Sequence, residues 1–246
     1  MSEPSAQSIS LNDLGMRYLG ALQHLSDVMV LTWAGARTVN EQAYEEMFRS
    51  VAGLPSTPFR FPLETAREEA ARWWFKISLG EALGLCQFFL EDIRRVCGLV
   101  AFHAAKARAS GDLAALAAEV NSETGQLDLP TRLTHLKSRY ALTLPLEAEL
   151  LSLVALHRCF LQTGGIVPAG DALTVQLKAV QPPAEGASAP QLVAFTRTWK
   201  PGERIAVSRE EHAAVFTTLS VFLSATLAAV QEFAKASGLP ENTSLQ

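Results

Sequence analysis

The chain has 246 residues, 48% of them hydrophobic and 19% charged, which is enough to bury a core without metal or disulfide and excludes a disordered tail or a soluble coiled coil. A net charge of -4, from 21 Lys+Arg against 25 Asp+Glu, excludes an extended phosphate-neutralising surface but leaves room for a local basic patch. The three cysteines, Cys86, Cys97 and Cys159, are odd in number and form no CxxC pair, so neither a disulfide framework nor a zinc knuckle is expected.

Met1 to Ser10 is polar and has no basic stretch leading into an apolar one, so no secretory signal is expected and the compartment reads as cytoplasmic. Ser10 can cap a first helix with apolar positions Leu14, Tyr18, Leu22, Leu25 and Met29. A shorter helix follows over 40–51. Pro55, Pro58 and Pro62 force a loop, and Pro62 can start the next helix. Residues 63–109 then read as one very long helix or two in line. Gly80 and Gly84, spaced as small-xxx-small, either admit a close backbone or mark a kink. Trp73-Trp74-Phe75 lie on this helix, with core packing expected for at least Trp74 or Phe75.

Ser110-Gly111-Asp112 stops the long helix and can cap another. Short helices are expected over 113–120 and 130–140, then a strong one from Pro145 to about Gln162. The pattern next switches to β-type runs, Leu173–Val180 and Gln191–Arg197, joined by a Pro/Gly/Ala-rich tip over 182–190. Trp199 is expected as a lid over the hairpin root. Ser208 with Glu211 makes a capping box opening the last helix. Residues 213–230 carry no charge and match a minimal bilayer span in length. Thr217, Ser220 and Ser224 nevertheless share one side, opposite Val215, Leu219, Phe222, Leu223, Val230 and Phe233. That amphipathic pattern predicts a buried helix rather than a span, with the Ser/Thr side covered by a second surface. The expected architecture is mostly α: one domain over 1–246, an up-and-down helical bundle with a β-hairpin insertion over 172–206 before the last helix. Residues 1–9 and 239–246 are expected as flexible tails.

The stretch Leu156-His157-Arg158-Cys159-Phe160-Leu161-Gln162-Thr163-Gly164-Gly165-Ile166-Val167 closes the Pro145 helix. It resembles the end of the motif-bearing helix of HEPN-domain proteins, which has Arg, a polar residue, three variable residues and His, often before a Gly-rich step and a hydrophobic pair. Phe88-Phe89-Leu90-Glu91-Asp92, and Leu136-Lys137 upstream of Leu144-Pro145-Leu146-Glu147, also resemble elements of bacterial members. The resemblance covers roughly 73–167 and the last helix.

It implies a homodimer related to metal-independent RNA-cleaving enzymes, in which Arg steadies phosphate charge and His moves a proton. Aligned through Gly164 and Gly165, the family's Arg falls on His157, its polar partner on Arg158 and its His on Gln162. Glutamine has no titratable group. Taking Arg158 as the motif Arg puts Thr163 at the fifth position, with the same result. The resemblance therefore implies a catalytically degenerate module that binds RNA or a protein partner, in a bacterial stress or phage-defence setting. An active ribonuclease using His157 and Arg158 with His135 is the alternative, and a structural or neutralising subunit of a toxin system is another.

On a helical wheel His157 falls near the centre of the stripe Leu146, Leu150, Leu153, Val154, Phe160 and Leu161, which predicts a core histidine. Arg158 and Gln162 share a flank with Leu151. Arg132, His135 and Arg139 form a basic stripe beside Leu129, Leu133, Leu136 and Tyr140, available either to RNA phosphates or as an ordinary solvated face. Arg94 and Arg95 after Glu91 and Asp92 present the same choice. No metal-ligand spacing, Walker loop or nucleophile elbow is present, so neither metal nor cofactor is expected.

Overall fold

The computed structural model describes residues 10–52, 61–108, 112–121, 127–181 and 190–238. The Ser10 hydroxyl accepts from the Asp13 amide and starts α1 (Leu11–Thr38), whose Leu14, Tyr18, Leu22 and Met29 reach the core. The next helix, α2 (Glu41–Ala52), contributes no fully buried side chain over 41–50. Pro62 precedes α3 (Leu63–Ala107), a single unbroken helix of 45 residues and about 68 Å. Neither glycine interrupts it. The group nearest Gly80 is the His157 ring rather than a backbone, and Gly84 faces open space.

Asp112 caps α4 (Leu113–Asn121) by accepting from Ala115, and Asp128 caps α5 (Leu129–Tyr140) by accepting from Thr131. After the left-handed Leu146, α6 (Glu147–Thr163) follows. The hairpin is β1 (Leu173–Gln181) against β2 (Gln191–Trp199), antiparallel, in register from Leu173–Trp199 to Gln181–Gln191. Its root is closed by Val167 donating to Glu203, Gly202 donating to Val167 and Ile205 donating to Gly165. Trp199 is buried there, with the Arg197 guanidinium 5.3 Å from its ring centre. The expected capping box is formed: Ser208 accepts from the Glu211 amide while Glu211 accepts from the Ser208 amide, and α7 (Arg209–Ala236) begins. The expectations for residues 1–9, 182–189 and 239–246, and for the loop at Pro55 and Pro58, lie outside the described residues.

Helix directions follow from cross-contacts. Tyr18 meets Asp92 while Arg67 meets Ala36, so α1 and α3 are antiparallel. His212 meets Ser78 and Arg108 meets Ser237, so α7 runs parallel to α3. Phe75 meets Phe160 and Gly80 meets His157, so α6 is antiparallel to α3. One hydrophobic cluster joins α1, α3, α5, α6, α7 and both strands, with Phe75, Phe89 and Phe222 among its largest buried members.

By length and composition alone α7 could cross a bilayer, but half of its apolar window is buried within the protein, where it packs on α1, α3, α6 and β1. Its Ser224 is exposed, and Thr217 and Ser220 are half-buried, as the amphipathic pattern predicts. Thr218 and Thr226 depart from that pattern and are buried. Thr218 bonds to the Ala214 carbonyl and accepts from the Lys178 amide, which satisfies a hydroxyl in the core.

Candidate interaction site at the tip of α6

Where α6 ends, Gly164 and Gly165 both adopt positive φ, at 64° and 84°. A Cβ on Gly165 would lie 2.8 Å from the Phe160 ring, so that position requires glycine on two counts. The Gly-rich step is thus a helix stop that turns Ile166 back to pair with Arg204. Thr163 strengthens the stop by donating to the Cys159 carbonyl at 2.8 Å.

The buried face of α6 is Leu150, Leu153, Leu156, Cys159 and Phe160. This corrects the wheel reading in three places: Leu146 precedes the helix, Val154 is only partly buried and Leu161 is 60% exposed. The core centre has rotated toward Leu156 and Cys159 because α6 is covered by β1 as well as by α3. His157 consequently sits at the edge of the core, half-buried, with its ring on Gly80. A Cβ there would approach Nε2 to 2.8 Å. Desolvation, and secondarily the charge of Lys76, push the His157 pKa below its ordinary value and favour the neutral ring.

Arg158 and Gln162 are exposed one turn apart. Arg158 looks toward the cap of α5. The Asp128 carboxyl there is held below its usual range chiefly by its hydrogen bonds from Thr131, with a smaller contribution from the Arg158 charge. Arg158 and Gln162 therefore share a surface, whereas His157 is turned onto α3.

The basic stripe of α5 is spent on carboxylates of α3 and α4, buried at Arg132 and near the surface at Arg139. Arg132 is 6% exposed, pairs with Glu91 and donates to the Leu127 carbonyl at 3.0 Å. Arg94 is buried against the same carboxylate at 2.7 Å, and Arg95 lies 3.5 Å from it. Arg139 makes a two-pronged contact with Glu119 at 2.7–3.0 Å, and His135 Nε2 lies 3.9 Å from Glu119. The Arg139 hydrogen bond, with help from Tyr140, holds the Glu119 carboxyl below its usual range. The stripe, read from sequence as either phosphate-facing or an ordinary solvated face, is engaged in ion pairs, because α3 and α4 present Glu91 and Glu119 directly against it.

His135 and His157 do not converge. His157 contacts α3 at Gly80, while Tyr140, beside His135, approaches α3 at Gly98, roughly 27 Å further along the helix. Among the described residues, no group of three or more His, Cys, Asp or Glu is placed to hold a metal ion.

Sequence reasoning missed the apolar surface around this tip. Trp73, Ile77, Gly84 and Phe88 recur at helical spacing on the outer side of α3. Trp73 is 55% and Phe88 67% exposed. On α6, Leu161, one turn beyond His157, is a further exposed apolar side chain. The signal is present as intervals of 4, 7 and 4 residues, but residues 77–90 carry a single charge, Glu81, and so have the sequence of a segment buried on most sides. Also missed was a cavity of about 580 Å³ between α1 and the start of α3, with Trp33, Trp74, Arg37 and Arg209 in its wall. Arg67 closes one side by donating to the Ala36 and Val39 carbonyls at the end of α1. No known protein family, curated protein or solved structure matches the chain.

Proposed function

We propose that the chain is a catalytically degenerate, HEPN-like helical module, homodimeric and cytoplasmic, that works by binding a protein partner rather than by cleaving RNA. The observation that carries this reading is the chemistry at the α6 tip. Gln162 occupies the proton-transfer position and cannot titrate, and the nearby imidazole of His157 is laid on Gly80. Arg158 therefore shares its exposed surface with Gln162 rather than with an imidazole, and the Asp128 carboxylate toward which it looks is committed to capping α5.

A protein partner is favoured over RNA by charge. Arg94, Arg132 and Arg139 are engaged by Glu91 and Glu119, while the neighbouring surface offers Trp73, Phe88 and Leu161. The distance between His157 and His135 argues against the active-ribonuclease alternative, and a neutralising subunit of a toxin system is one form of the protein-binding role. Cytoplasmic residence suits three free, buried cysteines, with burial pushing the Cys86 and Cys97 thiols up to about 12. The stress or phage-defence setting comes from the resemblance alone.

The test is incubation of the purified chain with structured and single-stranded RNA in EDTA, together with affinity capture by wild type and by Trp73→Glu/Phe88→Glu. No cleavage is expected, and a captured protein should be lost with the double substitution. Metal-free cutting abolished by Arg158→Ala overturns the reading. So does salt-sensitive RNA binding that disappears in Arg139→Ala while protein capture is absent.

A further inference from the structure

The hairpin has one closed edge and one open edge. On β1, the amides of Gln176 and Lys178 point away from β2 and donate to Ser152 Oγ at 3.1 Å and Thr218 Oγ1 at 2.8 Å. Residues in an antiparallel ladder alternate between bonding inward and outward. This parity makes Val175, Leu177 and Ala179 the residues bonded to β2, through Arg197, Phe195 and Val193. The backbone groups of Leu192, Ala194, Thr196 and Thr198 therefore face outward. Among the described residues none of the four has a backbone partner on that side, and all four are exposed.

Edge strands are ordinarily blunted by proline, lysine, a bulge or a covering element. Residues 191–199 contain no proline or lysine, and the register runs without a bulge. Arg197 is the strand's one charge and is drawn to Glu211 at 3.2 Å. The contrast with β1, whose central outward amides, Gln176 and Lys178, are met by helix hydroxyls, identifies β2 as the edge left open.

We infer that β2 pairs with β2 of a second copy of this chain, antiparallel about a two-fold axis at Phe195, to give a continuous four-stranded sheet. This rests on the homodimer reading above and assigns its interface. The open edge is chemically complementary to its own reverse. With the axis at Phe195, Leu192 stands opposite Thr198 and Ala194 opposite Thr196, and each of these pairs occurs twice. The four pairs can exchange up to about eight hydrogen bonds. Arg197 stands opposite Val193, so no like charges face each other. The two Phe195 rings meet in a non-hydrogen-bonded pair, where side chains approach most closely. Sliding the register by two residues brings either Pro190, which has no amide to donate, or Lys200 into the ladder. The self-matched register is what selects a second copy over an unrelated extended segment.

Light scattering on the full chain should give twice its 26.6 kDa. Thr196→Pro removes an outward amide and leaves the β1–β2 bonds intact. It should yield a monomer with unchanged helical circular dichroism. Independently, Phe195→Cys should form a disulfide-linked dimer under mild oxidation. Arg197→Cys alone should not, whereas Val193→Cys with Arg197→Cys should. The native cysteines are buried and leave the background low. A monomeric wild-type chain overturns both this proposal and the homodimer reading. A dimer that survives Thr196→Pro and does not crosslink through Phe195 overturns the β2 interface alone.

Discussion

Replacing Glu91 by Gln tests whether the α3–α5 ion pairs hold the fold or merely decorate it. The Glu91 side chain is 12% exposed, and its two partners, Arg94 and Arg132, are 4% and 6% exposed. Removing the carboxylate leaves two guanidiniums out of water with their main counter-charge gone, a change that costs about 3–5 kcal/mol where buried pairs are broken from one side. Set against a total stability of about 5–15 kcal/mol, that is a large fraction. In a chain of this size it corresponds to a fall in Tm of roughly 10 °C. Urea unfolding followed at the helical circular dichroism band measures it. Glu119→Gln is the control. Its partner Arg139 has a side chain 48% exposed, so water takes over much of the lost interaction and the expected cost is about 1 kcal/mol. If Glu91→Gln costs no more than Glu119→Gln, the reading of Arg132 as a structural rather than a phosphate-facing residue is wrong.

Two further outcomes follow from histidines in different surroundings. His212 is buried among Trp33, Phe75 and Phe216, and burial lowers its pKa to about 4. The unfolded chain binds this proton first, near pH 6.5, so stability is intact above that pH and falls as pH drops from 6.5 to 4, by about 3 kcal/mol in all. His212→Phe should flatten that part of the difference curve in pH-dependent urea titrations; an unchanged slope would remove His212 as its source. Gly80→Ala places a Cβ 2.8 Å from His157 Nε2, so the ring must swing toward water. Its pKa, followed by NMR, should climb back toward 6.5, while helix propensity offsets the disturbance by about 0.5–1 kcal/mol. An unmoved titration would mean that the ring does not rest on Gly80.

Local chemistry made much of the fold legible. Ser10, Asp112 and the Ser208–Glu211 box each cap the helix they predict, because capping depends on residues within one turn. The hairpin was equally readable from its alternation. What could not be read were contacts across elements. The α5 basic stripe has the sequence of a solvated face, and only the packing of α3 and α4 reveals the carboxylates it meets. The α6 wheel failed by about one position because β1, a later element, covers a second side of that helix. Arg67 reads as an ordinary helix charge, yet it ties α3 to carbonyls at the end of α1.

The Ser152 and Thr218 hydroxyls have a consequence for how large any strand-mediated assembly can grow. A ribbon with both margins available recruits a neighbour on each, and the product has no natural size. Here the centre of one margin is already bonded to the helices beneath it, so growth by strand addition ends at a closed pair instead of running on as a fibre.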